Sequence, residues 1–492
     1  MKTFLQTHKL IWAGSLLCLS TLVNAQFQQN SKIVGDRESR AEFGSAAAIN
    51  NDFAVVGASR EAIAAGAVYV YRKDESGDWG FSEKITAFDG AEMAEFGGSI
   101  KMNDDLLVIS AGRADVNGVL RAGALYVYDR AGDIWEFRTK ITASDFSDGA
   151  LLGVNPTTLD VEGNFIVAGA PGEFNWLGAV YVFEKDGDNW NETKITSPDL
   201  VDFGNFGIGV SISGDYLIAG ASGEDNGAGN AYVFERNDNG DWEFVQKISA
   251  SDSQPNAYFG NSISIDGNQM VIGAYAEGSV GGNIAAAYIF ERNDAGEWVE
   301  IQKIPSPVSD ENTFFGWLCK MDGSQMAITA PHVWGLEPGQ VFLYHKTDNG
   351  LWEEAQTIET EQAVEEMFYG WSMDLHGGNL IIGAPRDDFD ENGENEMMDA
   401  GSAFIFSDPN MGIQNVNSAS YSFKIYPNPA ESQLNIISDE AINLVEIFDL
   451  SGRKIGSSNQ STINVSSFTK GSYILKVTTT SGKTSTRRFI KK

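Results

Sequence analysis

Two cysteines and four histidines are all that the 492 residues hold of either kind. Cys18 lies in an apolar N-terminal stretch that reads as a cleaved leader, which leaves Cys319 alone and excludes an intramolecular disulfide in the mature chain. Cys319 aligns with Ile100, Val210, Ile263 and Met373 of a recurring pattern, so it is expected to be a small buried apolar residue and not a nucleophile. His8 leaves with the leader; His332 falls in a loop on one side of the expected fold, His345 and His376 in turns on the other. They cannot share a site, and no Ser/His/Asp spacing, metal-ligand cluster or phosphate loop appears. Basic residues are also scarce, 34 against 68 acidic, for a net charge of −34. The leader carries +2 and residues 423–492 carry +5, so residues 26–422 hold −41. Such a body repels nucleic acid and anionic lipid, and suits a cationic ligand or simple solubility. Beyond the leader, no apolar run is long enough to cross a membrane as a helix.

The leader is residues 1–25. Lys2 and Lys9 precede an apolar core from Leu10 to Val23, and Val23-Asn24-Ala25 offers a small-residue cleavage site before Gln26. Leu17 is bulky where a lipoprotein site at Cys18 needs a small residue. An exported protein is expected.

What the chain has in abundance is glycine, 53 residues, placed periodically. A Phe-Gly element recurs as Phe43-Gly44, Phe96-Gly97, Leu152-Gly153, Phe206-Gly207, Phe259-Gly260, Phe315-Gly316 and Tyr369-Gly370. A Gly-Ala element follows 14 residues later, as in Gly57-Ala58, Gly220-Ala221 and Gly383-Ala384, or 17 later in the third copy. A third element reads GAVYVY at 66 and GSAFIF at 401, and a fourth brings a Trp followed six residues on by Ile, as in Trp242 and Ile248. Each segment alternates apolar with small or polar residues, the period of strands, and turn clusters such as DGN at 266 close hairpins between them. Each copy therefore predicts a four-stranded antiparallel sheet, and the array predicts a β-propeller over residues 26–406. The seventh copy ends at Phe406 without its Trp and Lys-Ile strand, while an orphan Lys32-Ile33 precedes the first. The expected class is all-β: a seven-bladed β-propeller closed by the N-terminal strand, which hides a sheet edge. The repeated Trp and Phe residues are expected to be core.

The Phe-Gly and Gly-Ala spacing resembles the FG-GAP repeats of integrin α-subunit propellers. It is closer to the bacterial form, in which Gly-x-Val-Tyr-Val-Phe and Trp…Lys-Ile elements follow. The resemblance implies the fold; function it leaves open, since propellers serve as adhesins, ligand binders and enzymes.

After a linker at 407–422, residues 423–492 alternate as strands with turns, which predicts a small Ig-like β-sandwich. The wording resembles the C-terminal sorting domain of the type IX secretion system of Bacteroidetes: Tyr426-Pro427-Asn428-Pro429, Leu450-Ser451-Gly452-Arg453, Gly471 and Tyr473 in GSYILKV, and Lys491-Lys492 at the end. That resemblance implies passage across the outer membrane by the type IX machinery, then release or surface attachment.

Three candidate sites follow. Asp388, Asp390, Asn392 and Glu396, bent at Gly393, have the alternation of a calcium loop; the integrin calcium loops themselves are absent, replaced by turns such as NND at 50. An acidic face is expected where the sheet-to-sheet turns gather Asp36, Asp89, Asp145, Asp199, Asp252, Asp310, Glu311 and others. Trp176, Trp334, Glu224 and Asp225 fall in loops of that face and are candidates for holding an extracellular glycan or protein. The leading expectation is a ligand-binding or adhesion module; the alternative is an extracellular carbohydrate-active hydrolase or lyase using carboxylates of the same face.

Overall fold

The structure, a computed structural model, describes residues 27–275, 285–308, 313–333, 338–360, 362, 364–408, 423–428, 430, 432–438, 441–449, 454–480 and 484–492. The expected leader lies outside the described residues, as does most of the expected linker. The chain divides into two compact units, Met1–Met411 and Gly412–Lys492.

The first unit is built of four-stranded antiparallel sheets, seven among the described residues, in the arrangement a propeller has. The fourth copy shows the plan: Phe206–Ser213, Tyr216–Ala221, Asn230–Arg236 and Trp242–Ile248 pair in chain order. Its Phe206 is buried and meets Tyr232 of the third strand edge-on at 5.6 Å; Phe43 meets Tyr69 at 5.3 Å and Phe96 meets Tyr126 at 5.1 Å in the same way. Such pairs add about 0.5–1.5 kcal/mol to the burial itself. The fourth-strand Trp packs backwards, Trp135 on Phe53 and Trp298 on Tyr216 of the preceding sheets.

Sheet-to-sheet contact explains the spacing of the two glycine elements. A Cβ on Gly220 would stand 1.8 Å from the carbonyl oxygen of Gly260, the Phe-Gly glycine of the next sheet. One on Gly383 would stand 2.2 Å from the oxygen of Gly44, in the first sheet. Gly260 and Gly44 also hold φ of +90° and +95°, which side chains resist. Five sheets thus present a bare backbone to the bare backbone of the next, and the second and sixth present Ser110 and Thr329 there.

The first strands are stitched together as well. The amides of Ile212, Ile265, Met321 and Ile49 donate to Asp160, Ser211, Ser264 and Asp374 respectively, each on the adjoining sheet, at 3.0–3.2 Å. Between these strands lies a cavity of about 30 Å³, lined from all seven sheets by Ala47, Ile100, Leu159, Val210, Ile263, Cys319 and Met373. It has room for a water molecule and little more. Cys319 is buried there, and desolvation pushes its thiol well above the ordinary range.

In the seventh sheet, Ser372–His376, Asn379–Ala384 and Ser402–Ser407 are joined by Gln28–Ile33, with Ile33 opposite Ala403. The missing Trp also has a counterpart. Gln246 and Gln302 each clasp the backbone of the following sheet's Trp, Trp298 and Trp352, accepting from its N–H and donating to its carbonyl. Gln356 clasps Phe27 identically, at 2.8 and 3.0 Å. Phe27 is buried and precedes Ile33 by six residues, the interval from Trp298 to Ile304.

The second unit contains a three-stranded and a four-stranded sheet that share one apolar core, including Phe423, Leu434, Val445, Leu475 and Phe489.

Candidate functional site

The loops between second and third strands interlock with the segments that enter the next sheet. Met93 N–H donates to the Ile63 carbonyl, Asn205 to Trp176, Tyr258 to Gly227 and Glu42 to Asp399, at 2.8–3.1 Å. Where these loops are described, they pair with the segment entering the next sheet. In three sheets the loop is a single left-handed turn, with positive φ at Ala62 and Ile63, Phe174 and Asn175, and Asp225 and Asn226.

Five aspartates of the expected acidic face are occupied by internal ion pairs. Asp36, Asp89, Asp145, Asp199 and Asp252, each in the segment entering a sheet, pair with Lys84, Lys140, Lys194, Lys247 and Lys303 of that sheet's fourth strand. The last four also accept from the third-strand hydroxyls of Tyr126, Tyr181, Tyr232 and Tyr288. The lysine hydrogen bond holds Asp36, Asp199 and Asp252 below the usual carboxylate range. Asp89 and Asp145 are lowered too: desolvation opposes it, but the bonds from lysine and tyrosine prevail. Lys84 and Lys247 rise above the ordinary lysine range, their carboxylate partners outweighing desolvation. Burial, then the Glu61 hydrogen bond, pushes Tyr69 up to about 12. These acids fasten sheets together. Asp310 and Glu311 lie outside the described residues.

The sequence candidates fare differently from one another. Trp176 is 43% exposed at the tip of its left-handed turn. Trp334 lies outside the described residues. Glu224 does not face a ligand: it is 1% exposed, accepts from Tyr232 and Asn230, and pairs with Lys247 at 3.0 Å, while Asp225 accepts from Asn230.

The calcium loop is closed on itself. Asp390 accepts from the amides of Asn392 and Glu394 and from the Asn395 side chain, bonds that lower its pKa, and Asp388 accepts from the Asp399 amide at 2.7 Å. Asn392 and Glu396 point to solvent. Among the described residues no three acidic, His or Cys side chains are placed to share a metal ion, so the residues as arranged do not fit calcium, which takes six to eight oxygens. Millimolar calcium is accordingly expected to move the melting temperature by less than about 1 °C; a rise of several degrees would show the loop reopening around the ion.

The site that sequence reasoning passed over flanks the Phe-Gly element. The residue before it is Glu42, Glu95, Leu151, Asn205, Tyr258, Phe314 or Phe368, and φ there is +52° to +62° in all seven copies. Glycine would relieve that conformation at each position, yet none is glycine. The residue after the glycine lies two before a lining residue of the central cavity in every copy. In the sixth and seventh copies it is Trp317 and Trp371. These positions, together the mouth, recur beside the segments that line the cavity, and two groups among them differ in chemistry.

One half is aromatic. Tyr258 stacks on Tyr275 at 5.2 Å and Tyr275 on Phe314 at 5.5 Å; Tyr275 meets Trp317 edge-on, Trp317 lies 4.8 Å from Trp371, and Trp371 stacks on Phe368. Phe314 and Phe368 are buried, whereas Tyr258, Tyr275, Trp317 and Trp371 are half-buried. The Arg386 guanidinium covers Phe368 at 4.3 Å and begins the second half. There Arg60 pairs with Glu42 at 3.1 Å and Arg113 with Glu95 at 2.8 Å. Burial raises the Glu42 carboxyl, against the attraction of Arg60 and Arg386.

In the second unit the motif strand Gly471–Thr479 lies against Thr484–Lys491, with Gly471 opposite Lys491. The Tyr473 hydroxyl donates to the Thr469 carbonyl and the Lys492 amide to that of Ala430. Tyr426 is exposed, followed by Pro427 and Asn428; Pro429 and the 450–453 motif lie outside the described residues.

Comparison with known proteins agrees with this organisation. The FG-GAP repeat model matches residues 27–71, 79–128, 190–234, 242–290 and 352–406, and that of the secretion system C-terminal sorting domain matches 424–492. Integrin alpha-3 of Cricetulus griseus is 29% identical over 221 residues, 40% of this chain and 20% of that protein. The chain thus spans about a fifth of the length of that relative. A solved structure of a protein from Lactobacillus plantarum aligns with a TM-score of 0.43 and 12% identity, covering 64% of this chain and 84% of that one. The sorting domain marks the chain for export to the cell surface or beyond. No helix among the described residues is long and apolar enough to cross a membrane.

Proposed function

We propose that this chain, with FG-GAP repeats in its body and a secretion sorting domain at its end, is a surface-displayed or released module whose body binds an extracellular ligand. In this reading the seven sheets are the blades of one β-propeller, Gln28–Ile33 closes it as the fourth strand of the last blade, and the C-terminal unit is an Ig-like sandwich. The observation that carries it is selective divergence. The glycine of Phe-Gly is kept in all seven copies, whereas the residues flanking Phe-Gly differ from copy to copy, the one before it bearing a backbone strain of about 1 kcal/mol. Side chains kept at that cost, around one mouth, support a recognition site.

The hydrolase or lyase reading asks for a pair of free carboxylates about 5–10 Å apart. Five aspartates of the acidic face are tied to lysines, which favours binding over catalysis. The export half of the proposal is tested by deleting residues 423–492 in the native host. The body is then expected to stay inside the outer membrane; its appearance in the medium or on the surface at full-chain levels would refute the sorting role.

A further inference from the structure

We infer that the aromatic half of the mouth, Tyr258, Tyr275, Trp317 and Trp371, receives the ring face of a neutral sugar within a glycan, with the adjoining Glu–Arg half serving its hydroxyls. The inference rests on the ligand-binding reading and assigns its ligand class.

Ten tryptophans follow the leader, and six obey the repeat at the fourth strand. Trp317 and Trp371 break it at one equivalent position in neighbouring copies, and Tyr258, Phe314 and Phe368 do so at a second position in three consecutive copies. Sheet packing does not demand them, because the same backbone positions accept Ser45, Gly98, Val154 and Asn261, or Glu42 and Asn205, elsewhere in the unit. Phe314 and Phe368 lie beneath as a buried floor, and the four half-buried rings form the part that solvent reaches.

The surroundings choose among ligands. A protein anchored by protruding side chains would find rings recessed among their own stacking partners, none of them among the well-exposed hydrophobics of the unit. A pyranose offers an apolar C–H face for the rings and equatorial hydroxyls around its edge. The planar, half-exposed groups of Arg60, Glu42, Arg113 and Glu95 supply paired donors and acceptors at that edge. Net charge completes the choice: a body holding −41 repels uronate and sulfated chains, and the mouth's ion pairs are internally neutral.

The test uses the mature full chain, a panel of neutral hexasaccharides (β-glucan, β-mannan, xylan and α-glucan types) and sulfated and uronate oligosaccharides, read by calorimetry and tryptophan fluorescence. At least one neutral hexasaccharide is expected to bind and perturb the fluorescence, and Trp371→Ala and Tyr275→Leu should each weaken it at least about tenfold. Trp176→Ala, outside the mouth, should leave affinity unchanged. Arg386→Gln, which keeps every aromatic ring, guards against loss of fold in the first two and should also weaken binding. Neutral-glycan binding untouched by the mouth variants with melting temperatures intact overturns the assignment, as does preference for the charged oligosaccharides. If no glycan binds but an extracellular protein does, the glycan assignment fails and the ligand-binding reading stands. If neither binds, both fail.

Discussion

Removing residues 26–33 is expected to make the chain prone to associate and to lower its melting temperature markedly. The strand's own burial is largely offset by the cost of ordering it, about 1–2 kcal/mol per residue. What has no offset is the state left behind. Ser402–Ser407 becomes an edge with five unclaimed pairing positions, and the apolar cover over Ala403, Phe404 and Ile405 is gone. Gln356 loses the Phe27 backbone it clasps, and Asp387 loses its only lysine among the described residues. An unpaired, apolar edge strand recruits another chain. Size-exclusion chromatography should show dimers and larger species, and a synthetic peptide of residues 26–34, added in excess, should restore the monomer by adding the strand in trans. A truncated chain that stays monomeric and melts within about 2 °C of the full one would defeat the latch.

The latch also shows where sequence reading stops. Ile33 was legible as a displaced fourth strand because Lys-Ile recurs in other copies. Phe27 was not, because the pattern was read as requiring Trp, although the six-residue interval to Ile33 was there to see; what the position needs is a buried aromatic and a backbone for glutamine to clasp. The lysines of Lys-Ile were visible as letters of a motif, and the aspartates three to five residues beyond as acidic surface. That each lysine neutralises the aspartate about 50 residues before it, and not the one just beyond, requires the fourth strand to meet the segment entering its own sheet, which is tertiary information. The calcium loop misled for a local reason. Asp390 bends the chain by capping its own amides, so the spacing that suits a cation also suits a self-satisfied turn. The mouth was written in the alignment as breaks beside Phe-Gly, but without the left-handed φ those positions look like ordinary loop residues.

Asp387→Ala should be the most damaging single substitution in the latch. Lys32 Nζ and Asp387 Oδ2 lie 2.7 Å apart, with side chains 2% and 0% exposed, and Ser402 donates to the same carboxylate at 2.6 Å. Lys32 also sits over the Phe404 ring at 5.6 Å, so it has no aqueous route for its charge without leaving the sheet. Removing one partner of such a pair costs about 3–5 kcal/mol, since the other charge remains buried; replacing both by apolar residues of similar volume is often neutral. Lys32→Met with Asp387→Leu should therefore recover much of the loss caused by Asp387→Ala, leaving the Ser402 hydroxyl and the Phe389 amide in want of an acceptor, about 1–3 kcal/mol each where buried. Denaturant melts of the two single variants and the double variant give the coupling directly. If Asp387→Ala costs under about 1 kcal/mol, or if the two single losses simply add in the double variant, the pair is not what holds Gln28–Ile33 in the seventh sheet.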